Sequence, residues 1–233
     1  MKILYEDNHI IVVVKAPGVL SQASALDLPD MLTMVKKYIK ETYDKPGNVY
    51  CGLVHRLDLN VGGVMVFAKT SKAARRLSQQ IRDHQFNKHY FAVVEGGLMI
   101  DQKMHTLENY IKKDHQSRKA FITNNPNDSH ARLVYQAIES ISYKQKTYTL
   151  VDLELITGRF HQIRAQFAHI NHPLFGDNKY GQPSKGYELG LYAYELSFQH
   201  PTLKKDLTYY HYPSMGIFNQ FKMFKQGEKT DDQ

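Results

Sequence analysis

The sequence is poor in cysteine and in long apolar runs. Cys51 is its single cysteine among 233 residues, so it cannot form an internal disulfide or, alone, a thiolate metal site, and a reducing compartment is expected. Near the N-terminus the longest apolar run is Ile10 to Val14, which is too short for a membrane helix or for the apolar core of a signal peptide. We therefore expect a soluble, cytoplasmic protein without membrane association.

Several standard catalytic motifs are also missing. The sequence contains no GxxxxGK[ST], no GxGxxG after a strand, no GxSxG and no HExxH, so no site for nucleotide phosphates, dinucleotides, serine hydrolysis or zinc proteolysis is indicated. His161, His169 and His172 form the densest histidine group. No carboxylate accompanies them within the predicted helix, so we expect no metal and no cofactor.

Length favours one large domain, and the net charge is compatible with a polyanionic partner. At 42% hydrophobic residues, a chain of this length buries a large core, and we predict a single domain over 1–220 followed by a polar tail over 221–233. Thirty Lys and Arg against 23 Asp and Glu give a net charge of +7. This excess is compatible with RNA binding and equally with solubility alone.

Hydrophobic periodicity predicts an α+β fold. Helices are expected from about Pro29 to Tyr43, from a Ser71 cap to about His84, and after Thr157-Gly158. Several consecutive period-two segments without helices between them indicate a mainly antiparallel sheet. The predicted strands are Lys2 to Tyr5, Ile10 to Val14, Gly52 to Asp58, Gly63 to Lys69, His89 to Glu95, Met104 to Tyr110, Arg132 to Ile141, Tyr148 to Ile156, Leu191 to Phe198 and Leu207 to His211.

The segment from Val54 to Val64 is the strongest candidate for a site. If it is extended up to a Gly62-Gly63 bend, Arg56 and Asp58 share one face while the leucines between them face a core. A guanidinium beside Asp58 would keep the carboxylate ionised, as a nucleophile or base must be. An ordinary Arg–Asp pair before a turn explains the same pattern.

Two further segments carry candidate side chains. In the helix after Gly158, Arg164 lies at the border of the apolar stripe beside His161, where it either reaches into a cleft or snorkels to solvent. Tyr90 shares a strand face with Ala92 and Val94, where it could stack on a base or simply pack in the core.

Together these segments resemble the RluA-type pseudouridine synthases. The blocks that carry the resemblance, in order, are Asp7 to Lys15 with Pro17-Gly18, His55-Arg56-Leu57-Asp58 followed by Val64 to Thr70, Lys88 to Gly96, Gly158 to Arg164 continuing through His172 to Asp177 and Tyr180-Gly181, and Leu191 to Pro201. They extend over nearly the whole chain. The sequence departs from the family pattern at Val61-Gly62, where Thr-Ser is usual, at Phe160, where Thr is usual, at Tyr192, where His is frequent, and at Ala16, which separates the usual Lys-Pro pair.

The resemblance implies a pseudouridine synthase fold, in which a mixed, mainly antiparallel sheet of two fused subdomains surrounds a central catalytic cleft. It implies isomerisation of uridine to pseudouridine in structured RNA, either rRNA or tRNA, by a monomer without cofactor. Asp58 would be the nucleophile, Arg164 its ion-pair partner and Tyr90 the residue stacked on the target base. Base flipping and RNA contact would fall to His55, Arg56, Arg159, His161 and Ile163.

Two alternatives fit the same sequence features. A noncatalytic protein that binds or folds RNA could retain the same fold. A small-molecule glycosidase or hydrolase could use Asp58 with a second carboxylate, although no suitably spaced acid lies near it in the sequence.

Overall fold

The computed structural model describes residues 1–181 and 188–225, which form two compact units. The first unit contains Met1–Lys88 and Ala193–His211, and the second contains His89–Tyr192 and the chain from Tyr212 onward. No helix in the described ranges is long and apolar enough to cross a membrane.

The first unit is a five-stranded sheet, with order β1-β2-β4-β10-β11, to which the short strand β3 adds by pairing with β4. The pairs β1–β2, β2–β4, β3–β4 and β10–β11 are antiparallel. Its elements are β1 (Lys2–Glu6), β2 (Ile10–Lys15), α1 (Met31–Thr42), β3 (Gly52–Leu53), β4 (Gly62–Ala68), α2 (Ser71–Arg82), the first residues of β5 (Phe86–Glu95), most of β10 (Leu191–Gln199), and β11 (Asp206–Tyr210).

The core of the first unit follows from β2 and β4. Ile10 to Val13 and Val64 to Phe67 are almost entirely excluded from solvent, so both faces of these strands are covered, as their unbroken apolar runs indicate. Helix α2 contributes Ala73 and Leu77 to the cluster formed with alternate residues of these strands.

The helix caps correct the predicted boundaries. The Asp30 side chain accepts a hydrogen bond from Thr33 N, so α1 begins at Met31 and Pro29 lies before the cap instead of in the first turn. Thr70, not Ser71, caps α2 through a hydrogen bond from Ala73 N. In both cases the capping residue has extended backbone angles, which its short oxygen-bearing side chain favours.

The second unit is an antiparallel sheet with order β5-β9-β8-β6-β7. Besides the remainder of β5 and the first residues of β10, it consists of β6 (His105–Asp114), β7 (Lys119–Thr123), β8 (Ser129–Tyr143), β9 (Lys146–Leu155), α3 (Gln162–His169), a 3₁₀ turn (Gly216–Gln220) and α4 (Lys222–Lys225). Strand β7 was not predicted, because its five residues show too short a pattern to separate from the loop around them.

Helix α3 packs on this sheet through Ala165, which belongs to one buried cluster with Ile111, Ala120 and Ala131. It begins at Gln162, later than the sequence suggested, because His161 adopts left-handed backbone angles at the cap. Toward the C-terminus Phe221 is fully buried, so the predicted tail begins with a core residue. Its remainder, 226–233, lies outside the described residues.

The α+β class and the mainly antiparallel sheet are confirmed. The boundary at residue 220 and the central cleft stay predictions.

Gly63 generates a prediction about stability. Its φ is +136°, and a Cβ at this position would lie 2.1 Å from Ala193 O on β10, so only glycine lets these two backbones come so close. We expect Gly63→Ala to lower the free energy of unfolding by more than about 2 kcal/mol, measured by urea denaturation. Gly97→Ala is the control, because its nearest contact would be 3.8 Å away. Equal stability of the two variants would contradict this account of the strand contact.

Candidate active site

Asp58 stands at the start of a tight turn. The chain leaves β3 at Leu53 and rejoins the sheet at Gly62, and between them Val61 N donates to Asp58 O at 3.1 Å. The reversal therefore takes place at Leu59-Asn60, and the predicted bend at Gly62-Gly63 is wrong. Both glycines belong to β4, and the positive φ of Gly63 serves its close approach to β10.

The buried ammonium group of Lys15 holds this turn. The Lys15 side chain is excluded from solvent, and its Nζ donates to Val61 O at 2.7 Å, to Leu59 O at 3.0 Å and to Ala16 O at 3.2 Å. These three acceptors match the three hydrogens of an ammonium group. Gly18 N also donates to Leu59 O at 2.9 Å, so the chain following β2 grips the turn at two points.

Ser21 anchors the residue before Asp58. Its Oγ donates to Leu57 O at 2.8 Å and accepts from Leu57 N at 3.0 Å, and the Leu57 side chain is buried. The backbone on both sides of Asp58 is thus held by hydrogen bonds from Lys15, Gly18 and Ser21, which lie about 40 positions earlier. Such anchoring limits where its carboxylate can move.

Charge at the turn also involves Lys15. Burial lowers the pKa of Lys15 to about 7, and the nearby Asp58 carboxylate opposes that shift. The local sequence pattern indicates only Arg56 as a cation beside Asp58, so Lys15 was not predicted there. The signal was available, since Lys15 directly follows the five apolar residues of a buried strand, where a lysine needs partners.

His55 and Arg56 occupy different environments. Val66 N donates to His55 Nε2 at 3.1 Å, the ring lies edge-on against Phe86, and burial lowers the pKa of His55 to about 3. The ring is therefore neutral, accepts at Nε2 and carries its proton on Nδ1. Arg56 is exposed. His55 thus positions β4 against the turn, and the predicted RNA contacts of both residues stay predictions.

In the second unit, Asp177 orients Arg164. Arg164 Nε donates to Asp177 Oδ2 at 2.8 Å and Nη2 donates to Oδ1 at 2.7 Å, a bidentate pair that fixes the guanidinium plane. Asp177 also accepts from the backbone of Lys179 and Tyr180. Arg164 is buried, so the alternative of a snorkelling arginine is wrong. The sequence could not foresee its partner 13 residues later.

An aromatic group lies beside Arg164. The Phe160 and His161 rings stack with centroids 3.8 Å apart, and the Tyr180 ring lies 5.2 Å from the Arg164 guanidinium carbon. Tyr180 Oη accepts from Ala120 N at 2.6 Å and lies 2.9 Å from His161 Nδ1, within hydrogen-bond distance. The left-handed backbone of His161 is held by these contacts, and the departure at Phe160 supplies its stacking partner.

The remaining predicted residues lie in the second unit. Tyr90 on β5 and Ile163 on α3 are buried, and Arg159 is exposed with its Nε donating to His130 O at 2.7 Å. The structure groups His55, Arg56 and Asp58 in the first unit. It groups the other five, Tyr90, Arg159, His161, Ile163 and Arg164, in the second, and their roles stay predictions.

The described residues offer no group of three or more His, Cys, Asp and Glu side chains that could hold a metal ion. Cys51 is buried, and burial raises the pKa of its thiol to about 12. Such a thiol is a poor nucleophile at neutral pH.

We call the three hydrogen bonds from Lys15 Nζ the Lys15 clamp. The burial of this amino group predicts that the stability difference between the wild type and a variant without Lys15 depends on pH. Because burial lowers the pKa of Lys15 only in the folded state, the cost of burying its charge is relieved as pH rises from about 7 toward 10.5. Lys15→Met lacks this effect. The difference in free energy of unfolding, wild type minus Lys15→Met, should therefore increase by about 2 kcal/mol between pH 7 and pH 9.

Urea denaturation at both pH values measures this gain. Lys36→Met is the control, because Lys36 is exposed, and its difference from the wild type should not change with pH. A constant difference for Lys15→Met would contradict the lowered pKa.

Comparison with known proteins identifies the family. The profile of a family described as RNA pseudouridylate synthase matches residues 9–169. The chain is 33% identical over 241 residues to tRNA pseudouridine synthase C of Yersinia pestis, covering 95% of this chain and 91% of that protein. It is 32% identical to ribosomal large subunit pseudouridine synthase D of the same organism, covering 93% and 65%.

The fold agrees with this match. The solved structure of human RNA pseudouridylate synthase domain containing 1 superposes with a TM-score of 0.70 at 20% identity, covering 97% of this chain and 94% of the other. The chain spans only 60% to 65% of the length of several of its matched relatives. The family match and the identity to the Yersinia protein together show that the chain belongs to the RNA pseudouridylate synthase family, a family of isomerases.

Proposed function

We propose that the protein isomerises uridine to pseudouridine in tRNA or rRNA, with Asp58 as the nucleophilic carboxylate. The observation that carries the proposal is the anchored Asp58 turn, which lies within the matched residues 9–169. The names of the relatives support both RNA classes, since one acts on tRNA and another on the large ribosomal subunit.

The reaction needs a well-placed nucleophile and no oxidant, reductant or energy source. The glycosidic bond between ribose C1′ and uracil N1 breaks, the uracil turns in the pocket, and a bond forms between C5 and C1′. C5 then loses its proton and N1 gains one, so atoms and electrons balance. A carboxylate on a residue whose flanking backbone is held by hydrogen bonds is suited to attack at the same point in each turnover.

Arg164 is the proposed partner of the Asp58 carboxylate. Asp177 binds the Nε and Nη2 positions of the guanidinium and fixes its plane. A buried arginine held in this way cannot turn aside when substrate binds. It would keep Asp58 ionised and in place while the uracil moves.

The target uridine must leave its stack before it reacts, at a cost of a few kcal/mol. We assign the exposed Arg56 to filling the vacated space and Tyr90 to stacking on the flipped base. Arg159, His161 and Ile163 are the other proposed RNA contacts. The cytoplasmic, monomeric state and the absence of a metal or cofactor belong to the same proposal.

Loss of tritium from RNA labelled at uridine C5 tests the assignment, because isomerisation releases that hydrogen. We expect wild-type protein to release the label, and Asp58→Asn to slow release by at least about 1,000-fold. Asp27→Asn, which changes an exposed aspartate in the same unit, should release at the wild-type rate.

The outcomes separate the candidate functions. Equal release by Asp58→Asn and the wild type would overturn Asp58 as the nucleophile. RNA binding by the wild type without any release would favour the noncatalytic RNA-binding alternative. Turnover of free nucleosides would favour the glycosidase.

A further inference from the structure

The positive charge of the chain is concentrated around α2. Between Asp58 and Asp83 the sequence has no acidic residue. Five cations lie in the same interval, namely Lys69, Lys72, Arg75, Arg76 and Arg82. Around α1, by contrast, residues 27–45 contain four lysines and four acids. The two helices are equally long, but only the segment that contains α2 has a net positive charge.

One of these cations is neutralised by an ion pair, and the other four lie on one side of α2. Lys69 is buried in an ion pair with Glu6, so its charge is neutralised. At 100° per residue, Lys72, Arg75, Arg76 and Arg82 fall within an arc of about 120°, opposite the buried Ala73 and Leu77. Lys72, Arg75 and Arg82 are exposed. They extend for about 15 Å along the helix, at 1.5 Å per residue.

A neighbouring turn adds two lysines to this surface. Arg76 Nη1 donates to Pro201 O at 2.7 Å, and Gln80 exchanges hydrogen bonds of 2.8 and 2.9 Å with the backbone of Gln199. These contacts hold the turn after β10 beside α2. Within the turn His200 N donates to Lys205 O at 2.7 Å and Lys204 N donates to His200 O at 3.1 Å.

His200 makes the turn rigid. Its ring is fully buried, and its Nε2 lies 2.8 Å from Asp7 Oδ2, while its Nδ1 accepts from Leu203 N at 2.8 Å. Lys204 and Lys205 are exposed on the outside of the turn. We define the α2 basic patch as Lys72, Arg75, Arg76, Arg82, Lys204 and Lys205.

We propose that the α2 basic patch binds phosphates of the RNA substrate outside the Asp58 turn. The inference rests on the proposed function and deepens it, because it selects the surface that grips RNA. Cations set along about 15 Å of a rigid helix and on a fixed turn beside it match the regular spacing of phosphates on a strand. Two acids adjoin the patch: Asp83, which caps the end of α2, is already hydrogen-bonded to Gln79, and the exposed Asp206 follows Lys205.

Helix α1 is not assigned this role. Its Lys37 lies 3.9 Å from Glu41, and the acids around it cancel the charge of its lysines, so a phosphate strand would meet no net attraction there. Lys36 and Lys40 are nevertheless exposed on a 12-residue helix of the same unit. They therefore provide a matched pair for testing charge at one place against charge at another.

The test compares Lys72→Gln/Arg75→Gln with Lys36→Gln/Lys40→Gln. The probe is bulk RNA labelled at uridine C5 from cells that lack the protein, with binding measured from 50 to 200 mM KCl. For the α2 pair we expect Kd to rise about tenfold and the slope of log Kd against log salt to fall by about 1.5. The α1 pair should change Kd less than about twofold. For the α2 pair, the kcat of tritium release at saturating RNA should stay at the wild-type value while KM rises.

Lys204→Gln/Lys205→Gln is a second variant, on a different element, and should change Kd and slope in the same direction. If both patch variants bind RNA like the α1 pair, with unchanged slopes, the inference is overturned. Wild-type binding without tritium release would instead refute the proposed function, and the slopes would still decide the patch. The two failures are therefore distinguishable.

Discussion

The position of Asp58 depends on the buried ammonium group of Lys15. Removing a charge from water is costly, and here three backbone carbonyls and a nearby carboxylate offset that cost. The carbonyls of Leu59 and Val61 belong to the turn that carries Asp58, so the charge can be satisfied only when this turn has its native shape. Stability of the strand core and geometry of the site are thereby coupled through one side chain.

The second unit solves a similar problem in another way. Arg164 is buried, and Asp177 fixes two of its nitrogens in a planar pair, while the Tyr180 ring lies beside the guanidinium. The Tyr180 hydroxyl accepts a hydrogen bond from Ala120 N on β7 and lies within hydrogen-bond distance of His161. In both units the residue proposed to act on the uridine or the RNA is held by groups that come from distant parts of the sequence. A single substitution of a supporting residue such as Asp177 or Tyr180 would therefore change activity through the residue that it holds.

Much of the fold could be predicted from the sequence, because β2, β4 and the long antiparallel strands have strong local patterns. The motif around Asp58 was also found, since its charged and apolar residues stand next to one another. The turn at Leu59-Asn60, the Lys15 clamp and the Arg164–Asp177 pair were not found. Each depends on which distant groups meet after folding, and residue spacing carries no information about that. The basic residues are visible in the sequence, but their exposure is not. Only the structure distinguishes Lys69, which is neutralised by Glu6, from the exposed cations of α2.

In the proposed function, an anchored Asp58 carboxylate performs the isomerisation. Its most direct test is to map pseudouridines in total RNA from cells with the wild-type gene, without the gene, and with Asp58→Asn in its place. The account predicts that the uridines left unmodified by the deletion are the same as those left unmodified by Asp58→Asn, although the variant protein is present at normal levels. Pseudouridine at those positions in the Asp58→Asn cells would contradict it.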